Sequence, residues 1–209
     1  MMSRSNEGRG PLYRVYINRL RRSLDPDSVP KHVAMMIDGN RRWARQLGFD
    51  SPADGHRAGA AKMREFLEWC DEVGVQVVSL YLLSNDNVTK RDSREIADLI
   101  EIIAELADEL SRYRDWKVQH VGSTAGLPDG LGAVLDAAQE RTKHNPGMHV
   151  NLAVGYGGRR EIVDAVRSII VAYDQEGGSL EELAASLTPE TIGEHLYTGG
   201  QPDPDLVIR

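Results

Sequence analysis

A single cysteine, Cys70, is all that 209 residues provide, which excludes an intrachain disulfide and any zinc site built from cysteines. It falls on the apolar side of a predicted helix and reads as a small core residue. Long apolar runs are missing too. None approaches the ~20 residues a bilayer-crossing helix needs, and the N-terminus does not show the basic, apolar, small-residue order of a secretory signal. A soluble, cytoplasmic protein is expected. Neither a glycine-rich run ending in Gly-Lys-Ser/Thr nor a dinucleotide-binding glycine fingerprint occurs, so a Walker loop and a Rossmann cofactor site are not expected. There is no internal repeat and no low-complexity linker. The net charge of −7 sets a nucleic-acid duplex against net repulsion, and no nucleic-acid partner is expected.

What is present suits one α/β domain with a real core, at 41% hydrophobic residues. Apolar, β-branched runs predict strands at 33–37, 75–83, 117–122, 149–155 and 205–208. Between them, Met63, Phe66, Leu67 and Cys70 recur at helical spacing, with Gly74 as a stop. A longer helix opens at the capping-box-like pair Asp92 and Glu95 and carries Ile96, Leu99, Ile100, Ile103, Leu106, Ala107 and Leu110 on one stripe, which Ile102 widens into a face suited either to core packing or to lining a hydrocarbon cavity. Further helices are expected at 129–143, 159–175, 180–187 and, after the cap Thr188-Pro189, at 189–196. The alternation implies a central, mostly parallel sheet flanked by helices. Residues 1–28 read as a peripheral arm, whose stretch YRVYINRLRRSL is an amphipathic basic helix suited either to packing on the domain or to a membrane surface.

In such a sheet, ligands sit at the carboxyl ends of the strands, and polar clusters follow several strands directly. Asp38-Gly39-Asn40-Arg41-Arg42 follows the first, Ser84-Asn85-Asp86-Asn87 the second, Gly155-Tyr156-Gly157-Gly158-Arg159 the fourth, and Arg209 the last. Gly39 permits close approach of backbone to ligand, the following amides favour an anion, and Arg42 and His56 add donors suited to phosphate. A carboxylate among them repels that anion unless a divalent cation lies between, so Asp38 reads as a magnesium ligand beside a diphosphate.

The stretches HVAMMIDGNRRWAR, GHRAGAAK, LYLLSNDN, NLAVGYGGRREIVDA and LYTGGQPDPDLVIR resemble the cis-prenyltransferases, the undecaprenyl diphosphate synthase family, from about residue 30 onward, and most of all its actinobacterial short-chain members. The resemblance implies a magnesium-dependent condensation of an allylic diphosphate with isopentenyl diphosphate, releasing pyrophosphate, by a homodimer with a hydrophobic tunnel in each subunit. It implies a catalytic domain over 29–209. By position, Asp38 holds magnesium, Gly39, Asn40, Arg41 and Arg42 cradle the allylic diphosphate, Trp43 flanks that loop, and His56 adds a contact. Ser84, Asn85, Asp86, Asn87 and Arg91 belong to the segment linking the two substrates, with Asn87 a participant in proton removal. Glu95 matches a family glutamate just beyond, and Arg209 the first arginine of the isopentenyl diphosphate pocket.

The sequence departs from the family in four places. Arg41 stands where glycine is usual, Val88 where tryptophan is usual, and the flexible-loop arginine near Ser51 or Pro52 is missing, a contact worth about one to two powers of ten in affinity unless Arg41 or Arg45 replaces it. The sequence also stops at Arg209, before the family's Arg-x-Ser and downstream glutamate, and impaired turnover is the expectation. Leu82 stands where long-chain members carry a small residue. Its side chain, on the same face as Ser84 by strand alternation, narrows the tunnel and implies a short product such as Z,E-farnesyl diphosphate from geranyl diphosphate. The alternative is a non-catalytic partner subunit, but such chains generally lose the carboxylate and arginines present at 38–42. A phosphatase needs a second Asp where Asn40 stands. The paired Asp-Asp-x-x-Asp motifs of trans-prenyltransferases are absent.

Overall fold

The computed structural model describes residues 10–209, apart from 50, 91, 129, 176 and 178. Five parallel strands, β1 (His32–Met36), β2 (Val77–Ser84), β3 (Lys117–Val121), β4 (His149–Tyr156) and β5 (Leu206–Ile208), form one sheet in the order β3-β4-β2-β1-β5. Their near-continuous apolar character follows from cover on both faces. β4, in the sheet interior, is buried at six consecutive residues.

On one face lie α3 (Pro52–Val73), α5 (Ser93–Arg112) and α6 (Leu131–Thr142), enclosing a core built on Leu67, Leu80, Ile103, Leu110, Leu135 and Val150. The other face is largely polar near β1–β4 and is covered by α7 (Gly158–Gln175), α8 (Leu180–Ser186), α9 (Pro189–Glu194) and the segment leading to β5. Short helices α2 (Asn40–Gln46) and α4 (Asn85–Lys90) follow β1 and β2 directly. α1 (Pro11–Ser23) forms the arm, joined to α3 by an ion pair between Arg21 and Glu72.

α3 begins well before its apolar stripe. Ser51 caps it through Ala53 N at 3.2 Å, Pro52 fills the first turn, and Gly74 at φ 92° ends it. In α5 the predicted stripe is buried except at Ile100, which is half-buried, but its opening differs from a reciprocal box. Asp92 accepts from the Arg94 amide, whereas the Glu95 carboxylate reaches across to His56 and Arg41. The reciprocal box occurs instead at Ser179 and Glu182, opening α8. β2 also departs from strict alternation. Its pairing with β4 shifts between Tyr81 and Leu83 and again at Ser84, so Leu83 is buried in the core that Leu82 also packs against. Cys70 is buried, and that burial pushes its thiol up to about 12. No described helix is long and apolar enough to cross a membrane.

Candidate active site

The chain leaves β1 through Asp38 and turns at Gly39, whose φ of 90° is a left-handed conformation that a Cβ disfavours. The turn is held by Asp38 Oδ1, which accepts from Gly39 N at 2.7 Å. α2 starts at the next residue, so the amides of Asn40, Arg41 and Arg42 open a helix without intrahelical acceptors. β5 runs parallel to β1, with Ile208 opposite Met35, and this brings in Arg209 beside the same turn. Its Nη2 and Nε donate to Asp38 Oδ2 at 2.6 and 3.1 Å. The Arg209 hydrogen bond, then the Gly39 amide, holds the Asp38 carboxyl below its ordinary range. Asp38 is therefore an ionised, solvent-facing carboxylate, its side chain 56% exposed.

Two glycines set how closely α2 approaches α3. A Cβ on Gly55 would lie 2.4 Å from Asn40 O and 2.9 Å from Ala44 Cβ, and one on Gly59 would lie 2.6 Å from Asn40 Nδ2. Spaced four apart, they form one bare patch on the helix. His56, next to Gly55 and 6% exposed, lies with Nε2 3.3 Å from Glu95 Oε1, and Arg41 Nη1 is 3.6 Å from Glu95 Oε2. The result is a cavity of about 250 Å3 lined by Ile37, Asp38, Gly39, Asn40, Arg41, Arg42, Arg45 and His56. Three guanidinium groups against one lining carboxylate give it a lining suited to a multivalent anion.

A narrow apolar cavity of about 40 Å3 adjoins it, sharing Ile37, Asn40 and His56 and walled by Leu82, Leu99, Ile102, Ile103 and Leu106 among others. Beyond Ala60, Ile102 and Leu106 lies an outer groove of about 240 Å3 between α3 and α5.

The remaining sequence-derived residues divide. Ser84 Oγ accepts from Asn87 N at 3.2 Å and fixes the first turn of α4. Asn85 lies against Gly157, where a Cβ would be 3.3 Å from its Nδ2, and Asp86 is exposed. None of these lines the polar cavity. Trp43 stacks on Phe49 at 5.7 Å beside the loop. Arg91 lies outside the described residues. In the cluster after β4, Tyr156 OH donates to Glu161 of α7 at 2.8 Å, while Gly157 lies against Asn85. Arg45, named from the sequence as a replacement for the missing loop arginine, lines the cavity. The packing role of Gly55 and Gly59 was also not read, although their four-residue spacing was a visible signal.

No three His, Cys, Asp or Glu residues among those described gather to cage a metal. A hard cation with one carboxylate here would complete its shell with water and the oxygens of the bound anion, which is how magnesium is commonly held.

Residues 36–209 match the undecaprenyl diphosphate synthase family of prenyltransferases. The chain is 52% identical over 199 residues to a (2Z,6E)-farnesyl diphosphate synthase of Thermobifida fusca, covering 95% of this chain and 78% of that one. It is 48% identical over 202 residues to a (2Z,6E)-farnesyl diphosphate synthase of Mycobacterium tuberculosis, covering 95% and 77%. Among solved structures it resembles lavandulyl diphosphate synthase from Lavandula x intermedia, crystallised with dimethylallyl diphosphate. There the TM-score is 0.77 and the identity 30%, over 88% of this chain and 78% of that one.

Proposed function

The chain belongs to the undecaprenyl diphosphate synthase family of prenyltransferases, and from that premise we propose that it is a short-chain cis-prenyltransferase. It joins an allylic diphosphate, geranyl diphosphate by preference, to isopentenyl diphosphate, giving (2Z,6E)-farnesyl diphosphate. The allylic C–O bond breaks as the new C–C bond forms, a proton leaves the isopentenyl unit, and pyrophosphate departs. The observation that carries this reading is the adjacency of the two cavities. A polar, arginine-lined chamber and a narrow apolar one share Ile37, Asn40 and His56, which suits a molecule with a diphosphate head and a hydrocarbon tail.

In this reading Arg42, Arg41, Arg45, His56 and the amides after Gly39 hold the allylic diphosphate, Arg41 and Arg45 replacing the missing loop arginine. Arg209 serves isopentenyl diphosphate, Ser84 through Arg91 and Glu95 join the two subsites, and Asn87 takes part in proton loss. Asp38 would hold magnesium beside the diphosphate, where the ion would supply neutralisation of the charge that develops on the leaving group. A single exposed carboxylate is a poor resident site, so calorimetry should detect little magnesium binding below millimolar concentrations by the chain alone and clear binding once pyrophosphate is added. Equally tight binding in both conditions would place the ion elsewhere.

The reading is tested by incorporation of labelled isopentenyl diphosphate with mass analysis of the product. A C15 product from geranyl diphosphate is expected. A C50 product overturns the short-chain assignment, and a chain that incorporates none behaves as the partner-subunit alternative. Leu82→Ala should lengthen the product by at least one isoprene unit, because it removes a wall of the apolar cavity, and an unchanged distribution counts against that wall. A cytoplasmic location is consistent with the lone, buried thiol. Pairing of two copies is supported by exposed apolar residues on β5 and α7, including Leu206, Val207, Ile162 and Ile170. Contact of α1 with a membrane surface is supported by exposed Leu12, Val15, Tyr16 and Leu20 on a helix with several arginines and no acid.

A further inference from the structure

Much of the motif LYTGGQPDPDLVIR is left unexplained by substrate contacts, and the polar face of the sheet accounts for it. Gln119 on β3, Asn151 on β4 and Ser79 on β2 share one register row and so one face. Asn151, fully buried, donates from Nδ2 to Ser79 Oγ at 3.0 Å and to Gln201 Oε1 at 2.7 Å. Gln201 Nε2 donates back to Asn151 Oδ1 at 3.2 Å and to Gln119 Oε1 at 3.3 Å.

The ends of this row are tied down as well. Gln119 Nε2 donates to Tyr197 O at 2.8 Å, while Tyr197 N donates to Glu161 Oε1 at 3.1 Å. His32 is 2% exposed, with Nε2 2.8 Å from Ser79 Oγ and Nδ1 2.7 Å from Pro202 O. A carbonyl only accepts, so Nδ1 carries hydrogen. Since Ser79 Oγ already accepts from Asn151, its own hydrogen is available to His32 Nε2, and the row is satisfied in one direction. Three residues on, Asp205 Oδ2 accepts from Lys31 N at 2.7 Å and from His32 N at 3.1 Å.

We propose that this partly buried ladder of Gln119, Asn151 and Gln201, closed by the buried Ser79 and His32, is a positioning device that sets β5 at its height on β1 and thereby delivers Arg209 to Asp38. β5 has only three residues, with two of them exposed, too short and too bare to fix its own register. Gln201 is thus a positioning residue that touches no substrate. The inference rests on the reading of Arg209 as an isopentenyl diphosphate ligand only for its kinetic consequence.

The test replaces Gln201 by Leu, similar in size but without its three amide contacts, with Ser79→Ala as a milder second break and Val150→Ala, beside Asn151 on β4 but facing the apolar core, as the control for lost stability. Amide hydrogen exchange at Leu206–Ile208 should speed up by about tenfold or more in Gln201→Leu and less in Ser79→Ala, and stay unchanged in Val150→Ala. KM for isopentenyl diphosphate should rise about tenfold or more, as in Arg209→Ala, with kcat and the allylic KM within about twofold. Unaltered β5 exchange overturns the ladder, and so does an unaltered isopentenyl KM where Arg209→Ala raises it. Should the wild-type chain incorporate no isopentenyl diphosphate, that failure belongs to the functional reading, and the exchange comparison alone decides the ladder.

Discussion

Asp38→Asn should lower kcat/KM by at least about a thousandfold, on the order of 4 kcal/mol of transition-state stabilisation, while leaving the thermal unfolding midpoint almost unmoved. The second half follows from exposure. Asp38 and Arg209 form a solvent-facing pair, a class of contact that contributes little to folding, and an asparagine oxygen still accepts from the Gly39 amide. The first half follows from charge. Without a cation, the carboxylate repels the diphosphate that its neighbours attract, and with one it becomes the attachment point. The substitution should therefore change sign with conditions. In a chelator, Asp38→Asn should bind pyrophosphate more tightly than the wild type, and in magnesium more weakly. Titration calorimetry in the two buffers reads this crossover directly. A variant weaker in both would show that Asp38 organises the loop rather than meeting a cation.

Gly55→Ala should cost about a hundredfold in kcat/KM with only a small loss of stability. Its new methyl would sit 2.4 Å from Asn40 O, a backbone atom with no rotamer to escape into. α2 must then back away from α3, and about 1 Å of misplacement at a reacting group is enough for a loss of that order. Overpacking costs about 1–3 kcal/mol, but alanine recovers about 1 kcal/mol of helix propensity over glycine, so the fold survives. The split is diagnostic: activity collapses while the melting curve shifts little. Wild-type turnover by Gly55→Ala would show that the α2–α3 spacing does not matter to the site. Gly59→Ala, whose clash is with the Asn40 side chain, should be milder, because a side chain can rotate.

The sheet and most helices were legible because their signals are local: β-branched runs, a stripe at helical spacing, Thr188-Pro189, Gly74. The Asp38–Arg42 loop was legible for the same reason, since strand, turn and helix start are contiguous in sequence. Three features were less accessible. The opening of α3 at Pro52 was masked by Gly55 and Gly59, poor helix formers on propensity alone that are retained because α2 lies against them. The destination of Glu95 could not be read from the spacing that suggested a capping box, because a carboxylate chooses between a local amide and distant cations only once tertiary contacts exist. In the cluster after β4, Gly157 meets Asn85 while Tyr156 bonds Glu161 of α7, and sequence order alone does not reveal which way each side chain of a turn points.

The joining of β1 to β5 has a consequence for biosynthesis. Asp38 and Arg209 lie 171 positions apart, and the strand between β2 and the solvent edge gains its second partner only when the end of the described chain emerges. During synthesis at about 5–20 residues per second, the four earlier strands can assemble while the turn at Asp38 still has no Arg209 beside it. A nascent chain released before β5 would thus carry four of the five strands and the arginine-lined cavity without Arg209 beside it. Assembly of the pair follows that of the four earlier strands.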